Sequence, residues 1–378
     1  MRNKKIEFYK HNLSLTDKNN VRKVLDSIFL TTGEWVKEFE KKFSKYLNIK
    51  YVVTVNTCTD ALELSLRYFN IGKGDEVITT PLSFIATSNV IEYCGAKPVF
   101  VDVEESTGNI NADLIESKIT SKTKAIMPVH LYGHMCDMKK IRKIANKYSL
   151  KIIEDAAHCI EGKRDGIRVG QYGNSSCFSF YATKNIASGE GGAIATNDKK
   201  MYEWLLKARQ HGMSKNAVDR YSKKYEHYDM EFLGFKCNMT NIQASLLFNQ
   251  LDNVEKFRSQ KELIAKKYNK GFQKNENIKF PMVLEKTKHA RHIYTIWVDP
   301  SKRDEYLHKI QNENIGVAVN FRVIHLMKYY KDKYGYKKDS FPIAEKIGDS
   351  TITIPLYPKL TEKEINYVIK SVNNVVTD

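Results

Sequence analysis

The feature that most limits the possible folds of this chain is an alternation between residues 50 and 200. Short runs rich in β-branched residues alternate there with longer amphipathic segments. This alternation is typical of an α/β protein with a largely parallel sheet covered by helices on both faces. The predicted strands are 51–55, 76–80, 98–101, 125–129, 151–154, 177–181 and 193–196. The predicted helices include 60–69, 83–94, 138–148 and 199–210. Ligands of such sheets bind at the carboxyl ends of the strands.

The last third of the chain has a different pattern, which predicts a smaller α+β unit. A long helical pattern begins after Thr240, its expected N-cap, and runs to about residue 270. The elements expected beyond it are strands 291–298 and 316–320, helices 302–312 and 361–375, and a loop over 328–341. We therefore predict a large domain over 1–248 and a small C-terminal domain over 249–378, sharing an interface.

Charge and cysteine content restrict the class of protein further. The 378 residues carry a formal net charge of +17, but basic residues are spread along the chain among acidic ones. A solvated basic surface explains this better than nucleic-acid binding does. No apolar run approaches the roughly 20 residues of a membrane span, and the six scattered cysteines have no metal-ligand spacing. We expect a soluble cytoplasmic protein with free thiols, no metal and no membrane insertion.

The first candidate site segment joins a predicted strand directly to a predicted helix. Thr57, Thr59 and Asp60 lie at this junction. Such a junction offers free backbone N–H groups and the positive end of the helix dipole to an anion. Taken alone, these residues are better explained by simple N-capping of the helix.

The second candidate segment contains Asp155 and His158, directly after a strand expected in the middle of the sheet. A buried carboxylate is costly unless it meets a cation, and the protonated ring nitrogen of a cofactor would supply one. The alternatives are that Asp155 caps the next segment and that His158 is a core histidine.

The third candidate segment follows the strand that contains Ser179. Lys184 lies there, just before a glycine-rich turn that includes Glu190. Partial burial would lower the pKa of this amine and favour its covalent reaction with a carbonyl. A solvated lysine is the ordinary alternative in so lysine-rich a chain.

These segments become informative in combination with an aromatic residue, Phe84, in the loop after strand 76–80. Together they offer a phosphate cradle, a partner for a pyridine nitrogen, an amine for covalent attachment and a face for stacking on a ring. Pyridoxal phosphate (PLP) requires these four features.

At these residues the chain resembles the DegT/StrS family of PLP-dependent sugar-nucleotide aminotransferases. The matching segments are 33–40, 72–78, 95–102, 128–133 and 354–358. The resemblance implies the type I, aspartate aminotransferase-like fold of PLP-dependent transferases, with a large α/β/α domain and a smaller α+β C-terminal domain. Segment 234–242 looks most like the branch that makes 4-amino-4-deoxyarabinose on a UDP carrier.

The resemblance also implies a catalytic role for three residues. Lys184 would bind PLP covalently and serve as general acid and base. Asp155 would pair with the pyridine nitrogen, and His158 would contact the 3-hydroxyl of the ring.

Further residues are implied to bind the cofactor without reacting. Thr59, the backbone N–H of Asp60 and Ser179 would hold the phosphate. Phe84 would stack on the ring of the cofactor.

The remaining implied contacts concern a second subunit and the substrate. Asn238 would reach the partner's cofactor, which implies a homodimer with two shared sites, although Lys236 is an alternative for this contact. His325 would line the substrate pocket, unless it is a surface-loop histidine, and Glu190 is a second substrate candidate.

The sequence therefore predicts a homodimeric aminotransferase. It would move an amino group from L-glutamate to a keto group of a nucleotide-linked deoxy sugar, at C4 rather than C3, for a cell-surface glycan. Alternatives are a transaminase for a phosphorylated or cyclitol ketone, a PLP-binding regulator without turnover, and a nucleic-acid-binding protein.

Overall fold

The computed structural model describes residues 5–215 and 227–377, which form one large sheet, two small sheets and the helices around them. The strands are β1 Tyr51–Val55, β2 Glu76–Thr79, β3 Lys97–Phe100, β4 Thr123–Ile126, β5 Lys151–Asp155, β6 Lys163–Arg164, β7 Ile167–Arg168, β8 Ser175–Ser179, β9 Gly192–Thr196, β10 Thr287–Lys288, β11 Tyr294–Trp297 and β12 Thr351–Ile354. The large sheet has the order β1-β9-β8-β5-β4-β2-β3. Only β9 is antiparallel to its neighbours there. The predicted, largely parallel sheet is confirmed.

Helices cover both faces of the large sheet. The α-helices are Leu15–Leu25, Glu34–Leu47, Cys58–Tyr68, Ala86–Tyr93, Ala112–Ile115, Met138–Lys147, Lys199–Ala208, Asn241–Ser245, Phe248–Asp252, Val254–Phe272, Arg303–Asn312, Lys328–Tyr334, Pro342–Ser350 and Glu362–Val375, with 3-10 turns at Glu116–Lys118, Leu131–Gly133 and Ile324–Leu326. Successive side chains of a strand point to opposite faces. Accordingly, Ile152 of β5 packs into one core with Phe43, whereas Ile153 packs into another with Leu64.

The direction of the strands gathers the candidate site segments at one edge of the sheet. Strands β1, β2, β5 and β8 all run the same way, because β9 reverses direction between β1 and β8. Their carboxyl ends therefore share an edge, and the residues that follow each strand meet there.

The C-terminal part has its own apolar core. Tyr268, Tyr294, Ile352 and Val368 belong to it, together with Ile6 from the other end of the chain. Strands β11 and β12 pair antiparallel within this part.

A fourth apolar cluster connects the C-terminal part to the large sheet. Leu82, Phe100 and Leu131 contact residues that include Ile324 and Ile347 within it. The two parts thus share a packed interface, as expected. The boundary at residue 248 stays a prediction. None of the described helices has the length and apolarity required to cross a lipid bilayer.

The predicted long helix after Thr240 is three helices in the structure. Asn241–Ser245, Phe248–Asp252 and Val254–Phe272 follow one another with short breaks. The N-cap itself is correct, because the Thr240 hydroxyl accepts from the backbone N–H of Gln243 in a capping box.

Two other predictions in the C-terminal part are wrong. Residues 316–320 form no strand, and Ala318 makes only an isolated bridge to Thr353. The expected loop 328–341 begins with helix Lys328–Tyr334, whose Tyr330 is buried. Tyr330 is the one buried residue of this helix, so its polar sequence shows no amphipathic pattern that would predict it.

Candidate active site

The phosphate candidate is the N-terminus of helix Cys58–Tyr68, which follows β1. Thr57 is its N-cap and accepts a hydrogen bond from the backbone N–H of Asp60 at 3.0 Å. The Thr57 hydroxyl also donates to the Asp60 carboxylate at 2.8 Å. A Cβ at Gly192 of β9 would lie 2.4 Å from the Thr57 carbonyl carbon, so the junction packs tightly on the sheet. The backbone N–H groups of Cys58 and Thr59, which begin the helix, have no partner within it and can receive an anion, whereas Thr57 already occupies the N–H of Asp60.

Asp155 ends β5 at the same edge and is 5% exposed. Its carboxylate accepts from the Thr87 hydroxyl at 2.8 Å and from the Ala157 backbone N–H at 3.2 Å. Burial raises the pKa of this carboxyl, and these hydrogen bonds and the charge of Lys184 oppose the rise only in part. A cation placed against it would therefore be stabilised.

His158 lies in an aromatic stack beyond Asp155. Its ring faces His292 at 4.3 Å and Phe321 at 5.7 Å between centroids. The backbone N–H of Tyr132 donates to His158 Nδ1 at 3.3 Å. Burial holds the pKa of His158 well below its usual range, so the ring is neutral and carries its proton on Nε2, ready to donate.

Lys184 lies in the loop between β8 and β9, held in a turn by its backbone N–H bond to Tyr181. Burial lowers the pKa of its amine to about 8, against the opposing effects of Cys58 and Asp155. A larger fraction of this amine is neutral near pH 7 than of an exposed lysine, and a neutral amine is the form that attacks a carbonyl.

The structure leaves three other proposed cofactor contacts less defined. Ser179 is buried at the end of β8, and its hydroxyl accepts from the Tyr181 backbone N–H at 3.3 Å. Phe84 is 56% exposed, and its ring centroid lies 6.1 Å from that of Phe321. Thr59 is half-buried in the first turn of its helix. Their roles toward the cofactor stay predictions.

Asn238 is engaged within its own chain. Its side chain donates to the Thr32 hydroxyl and accepts from the Lys236 ammonium, both at 2.6 Å. Its backbone bridges to Val55, so this loop is fixed beside β1 near the phosphate candidate. The cross-subunit role of Asn238 or Lys236 stays a prediction.

His325 is not a surface-loop histidine, because its side chain is fully buried. Its Nε2 lies 2.9 Å from a Glu345 carboxylate oxygen, and its ring packs edge-on against Phe341. Glu190 has an exposed side chain, while its backbone carbonyl accepts from Ser188 and Gln243. Substrate binding by His325 and Glu190 stays a prediction.

Several residues around the site were missed from the sequence. Thr87 hydrogen-bonds Asp155, and His292 and Phe321 stack on His158. Thr87 could have been noticed because it lies near the start of a helix that follows a strand. His292 and Phe321 carry no local signal, since they come from distant parts of the chain.

Pyridoxal phosphate fits this edge of the sheet group by group. Its phosphate suits the helix N-terminus after Thr57, and its protonated ring nitrogen would satisfy the uncompensated carboxylate of Asp155. Its 3-oxygen suits the neutral ring of His158, and its aldehyde suits the amine of Lys184. The fold and these groups define the class of PLP-dependent enzymes with a type I fold.

Comparisons with known proteins identify the family. The chain belongs to the DegT/DnrJ/EryC1/StrS aminotransferase family, whose model matches residues 12–373. It is 38% identical over 382 residues to the spore coat polysaccharide biosynthesis protein SpsC of Bacillus subtilis, covering 99% of this chain and 98% of that one. It is 36% identical to the GDP-perosamine synthase of Escherichia coli O157:H7, covering 99% and 100%. A pleiotropic regulatory protein of Geobacillus stearothermophilus is 34% identical, covering 94% of each chain.

Solved structures agree with this assignment. The PMP form of the putative sugar aminotransferase Spr1654 from Streptococcus pneumoniae superposes with a TM-score of 0.93 at 30% identity, over 98% of this chain and 99% of that one. Helicobacter pylori PseC, an aminotransferase involved in the biosynthesis of pseudoaminic acid, gives a TM-score of 0.92 at 28% identity, with 99% coverage of both chains. This protein is therefore a PLP-dependent aminotransferase, which confirms the predicted family, fold class and cofactor.

Proposed function

We propose that this enzyme transfers an amino group from L-glutamate to the keto group of a nucleotide-linked deoxy sugar, at C4. One observation carries the reaction type: the Lys184 amine has a lowered pKa and interacts electrostatically with Asp155 at the same edge of the sheet. The relatives named as GDP-perosamine synthases and a polysaccharide biosynthesis protein support a sugar substrate. The name of SpsC also supports a role in making a cell-surface glycan.

Each site residue has a defined task in this reaction. When bound, PLP supplies a ring that accepts electron density from the carbon bearing the amino group. Asp155 keeps the ring nitrogen protonated, so the ring accepts that density more readily. The Lys184 amine would take up the proton of that carbon as a base and give it back as an acid when the amino group is transferred. His158 would donate its Nε2 proton to the 3-oxygen of the cofactor.

The charge of the protein suits a nucleotide sugar. The net charge of +17 creates an attractive field for a diphosphate. Since surface fields are screened beyond about 8 Å at physiological ionic strength, this attraction would affect encounter more than the bound state.

A substrate panel tests the proposed activity. The purified enzyme, loaded with PLP, is incubated with L-glutamate and either UDP- or GDP-linked 4-keto sugars, 3-keto sugars, phosphorylated ketones or cyclitol ketones. We expect 2-oxoglutarate to form fastest with a nucleotide-linked 4-keto sugar. Faster turnover of a phosphorylated or cyclitol ketone would contradict the proposal that the acceptor is a nucleotide-linked keto sugar. PLP binding without amine transfer to any ketone would instead favour a regulatory protein that binds PLP without turnover. The similarity to the pleiotropic regulatory protein of Geobacillus stearothermophilus supports this second candidate function.

We also propose that the active form is a homodimer. A short segment that begins with the last residue of the first helix exposes three large apolar side chains: Leu25, Ile28 and Leu30 are 56%, 92% and 44% exposed. The backbone N–H of Asn241 donates to the carbonyls of Leu30 and Thr31, which holds the segment near the candidate site loop. Exposed apolar side chains this close together are typical of a protein–protein interface.

Ile28→Asp should therefore raise the dissociation constant of the dimer at least about tenfold, because it places a charge in an apolar interface. Sedimentation velocity over a concentration series measures the change. Leu263→Asp is the matched control, since Leu263 is 61% exposed on helix Val254–Phe272. Equal dimer affinity of both variants would exclude the Ile28 segment from the interface.

A further inference from the structure

A buried polar network lies directly beside Lys184, and none of its members belongs to the proposed cofactor contacts. Asn185, the next residue in the chain, donates from Nδ2 to both carboxylate oxygens of Glu161 at 2.8 and 2.6 Å. The Lys261 ammonium donates to Asn185 Oδ1 at 2.6 Å. The amide of Asn185 therefore bridges a carboxylate and an ammonium group.

The network joins the segments that build the site. Glu161 lies in the segment that also contains Asp155 and His158. Lys261 comes from helix Val254–Phe272, in the C-terminal part of the chain. Asn185 Nδ2 also donates to the Ala290 carbonyl at 3.0 Å, in the segment that leads to His292.

A second contact fixes the same loop on its other side. The side-chain amide of Gln250 accepts from the Ala187 backbone N–H at 3.0 Å and donates to the Ala187 carbonyl at 2.8 Å. The backbone after Lys184 is thus held at two positions by side chains from elsewhere in the chain.

The network also reaches the space in front of Lys184. Lys184, Asn185, Lys261 and His292 line a common cleft with about 30 Å³ of free volume. A movement of Asn185 or Lys261 would therefore change the surroundings of the Lys184 amine as well as the protein core.

Burying these two charged groups costs folding free energy, so the network is not explained by stability alone. Glu161 is fully buried and Lys261 is 3% exposed. Burial raises the pKa of Glu161 and lowers that of Lys261 to about 8, although each charge opposes the shift of the other. Buried ion pairs often stabilise a fold no better than apolar residues of similar size, whereas they fix geometry.

We propose that Glu161, Asn185 and Lys261 form a positioning unit for Lys184. The two charges hold the amide of Asn185 from both ends, and the amide fixes the backbone from which the Lys184 side chain reaches the cofactor. This inference rests on the proposed role of Lys184.

Two variants remove the unit in different ways. Glu161→Gln/Lys261→Met deletes both charges, so neither is left buried without a partner. Asn185→Ala keeps both charges and deletes the bridge. The matched control is Glu40→Gln/Arg209→Met, because Arg209 Nη1 and Glu40 Oε1 form another buried pair at 2.5 Å.

The first measurement uses cofactor-free protein. Lys184 is acylated at a series of pH values by a small anhydride and quantified by mass spectrometry. In the wild type the midpoint of labelling should lie at a pH of about 8, the pKa of the Lys184 amine. Loss of positioning exposes the amine to water, so the midpoint should rise toward the ordinary lysine value in both network variants and stay unchanged in the control.

The second measurement uses PLP-loaded protein. The rate of amine transfer from saturating glutamate should fall about tenfold to a hundredfold, with KM changed less than about threefold, because the misplaced amine affects reaction geometry more than donor binding. The visible circular dichroism of the bound cofactor should weaken in parallel.

An unchanged labelling midpoint in both network variants would overturn the inference and leave the network a purely structural one, whatever the rate and the dichroism show. Because the midpoint is measured without PLP, it decides the positioning role by itself. If Lys184 of the wild type is labelled with a midpoint at a pH of about 8 but the enzyme transfers no amine from any donor, the proposed function is refuted instead.

Discussion

Lys184→Ala is expected to abolish covalent attachment of PLP and to slow amine transfer from glutamate about a thousandfold. The substitution removes the amine that reacts with the aldehyde and the base that moves the proton, and general acid–base catalysis alone contributes about 10² to 10⁴ in rate. Borohydride reduction followed by mass spectrometry should find PLP on Lys184 in the wild type and on no lysine in the variant.

Controls separate this effect from a general loss of lysine charge. Lys328→Ala removes a lysine whose side chain is 92% exposed, and it should react like the wild type. Added methylamine should restore part of the rate to Lys184→Ala, because a free amine can serve as the missing base. Borohydride-stable PLP on another lysine, at wild-type rate, would show that Lys184 has been assigned the wrong role.

Asp155→Asn should lower the rate of amine transfer about a hundredfold. The amide has nearly the shape of the carboxylate but no charge to keep the ring nitrogen protonated, so the ring accepts electron density less readily. Electrostatic groups of this kind contribute about 10² to 10³ in rate when removed singly. Stopped-flow measurement of the half-reaction with glutamate tests it.

In the absence of cofactor, the same substitution should stabilise the folded protein at neutral pH. Burial raises the pKa of Asp155 in the folded protein. The charged carboxylate therefore destabilises the folded state above its unfolded-state pKa of about 3.9, and this cost is fully present once the pH exceeds the folded pKa. At pH 7 the cofactor-free variant should melt at or above the wild-type temperature, and the advantage should disappear near pH 3.

The exposed Asp113→Asn is the control for the rate, since its side chain is 69% exposed. It should leave the rate of amine transfer unchanged. A variant Asp155→Asn that reacts at the wild-type rate would remove Asp155 from the proposed mechanism.

The region between residues 50 and 200 could be predicted well because its signals are local. A strand in a parallel sheet needs only a few β-branched residues, and a helix start needs one capping residue, as at Thr57 and Thr240. Once the alternation of elements is recognised, parallel strands place Asp155 and Lys184 at one edge. The type I fold was implied by the resemblance to the DegT/StrS family.

The C-terminal part was predicted less well because its elements depend on distant contacts. Helix Lys328–Tyr334 buries Tyr330 against Phe100, and β12 exists only by pairing with β11. Helix Leu15–Leu25, near the other end of the chain, was not predicted either. A sequence pattern of a few residues does not specify such partners.

The sequence by itself determined the sheet, the edge at which the candidate site residues lie and the identity of the cofactor. Only the tertiary structure decided the environment of each side chain: the stack of His292 and Phe321 on His158, the burial of His325, and the bridge of Asn185 between Glu161 and Lys261. The physical reason is that hydrogen-bonded periodicity is encoded over neighbouring residues, whereas burial and pKa depend on which distant segments pack together.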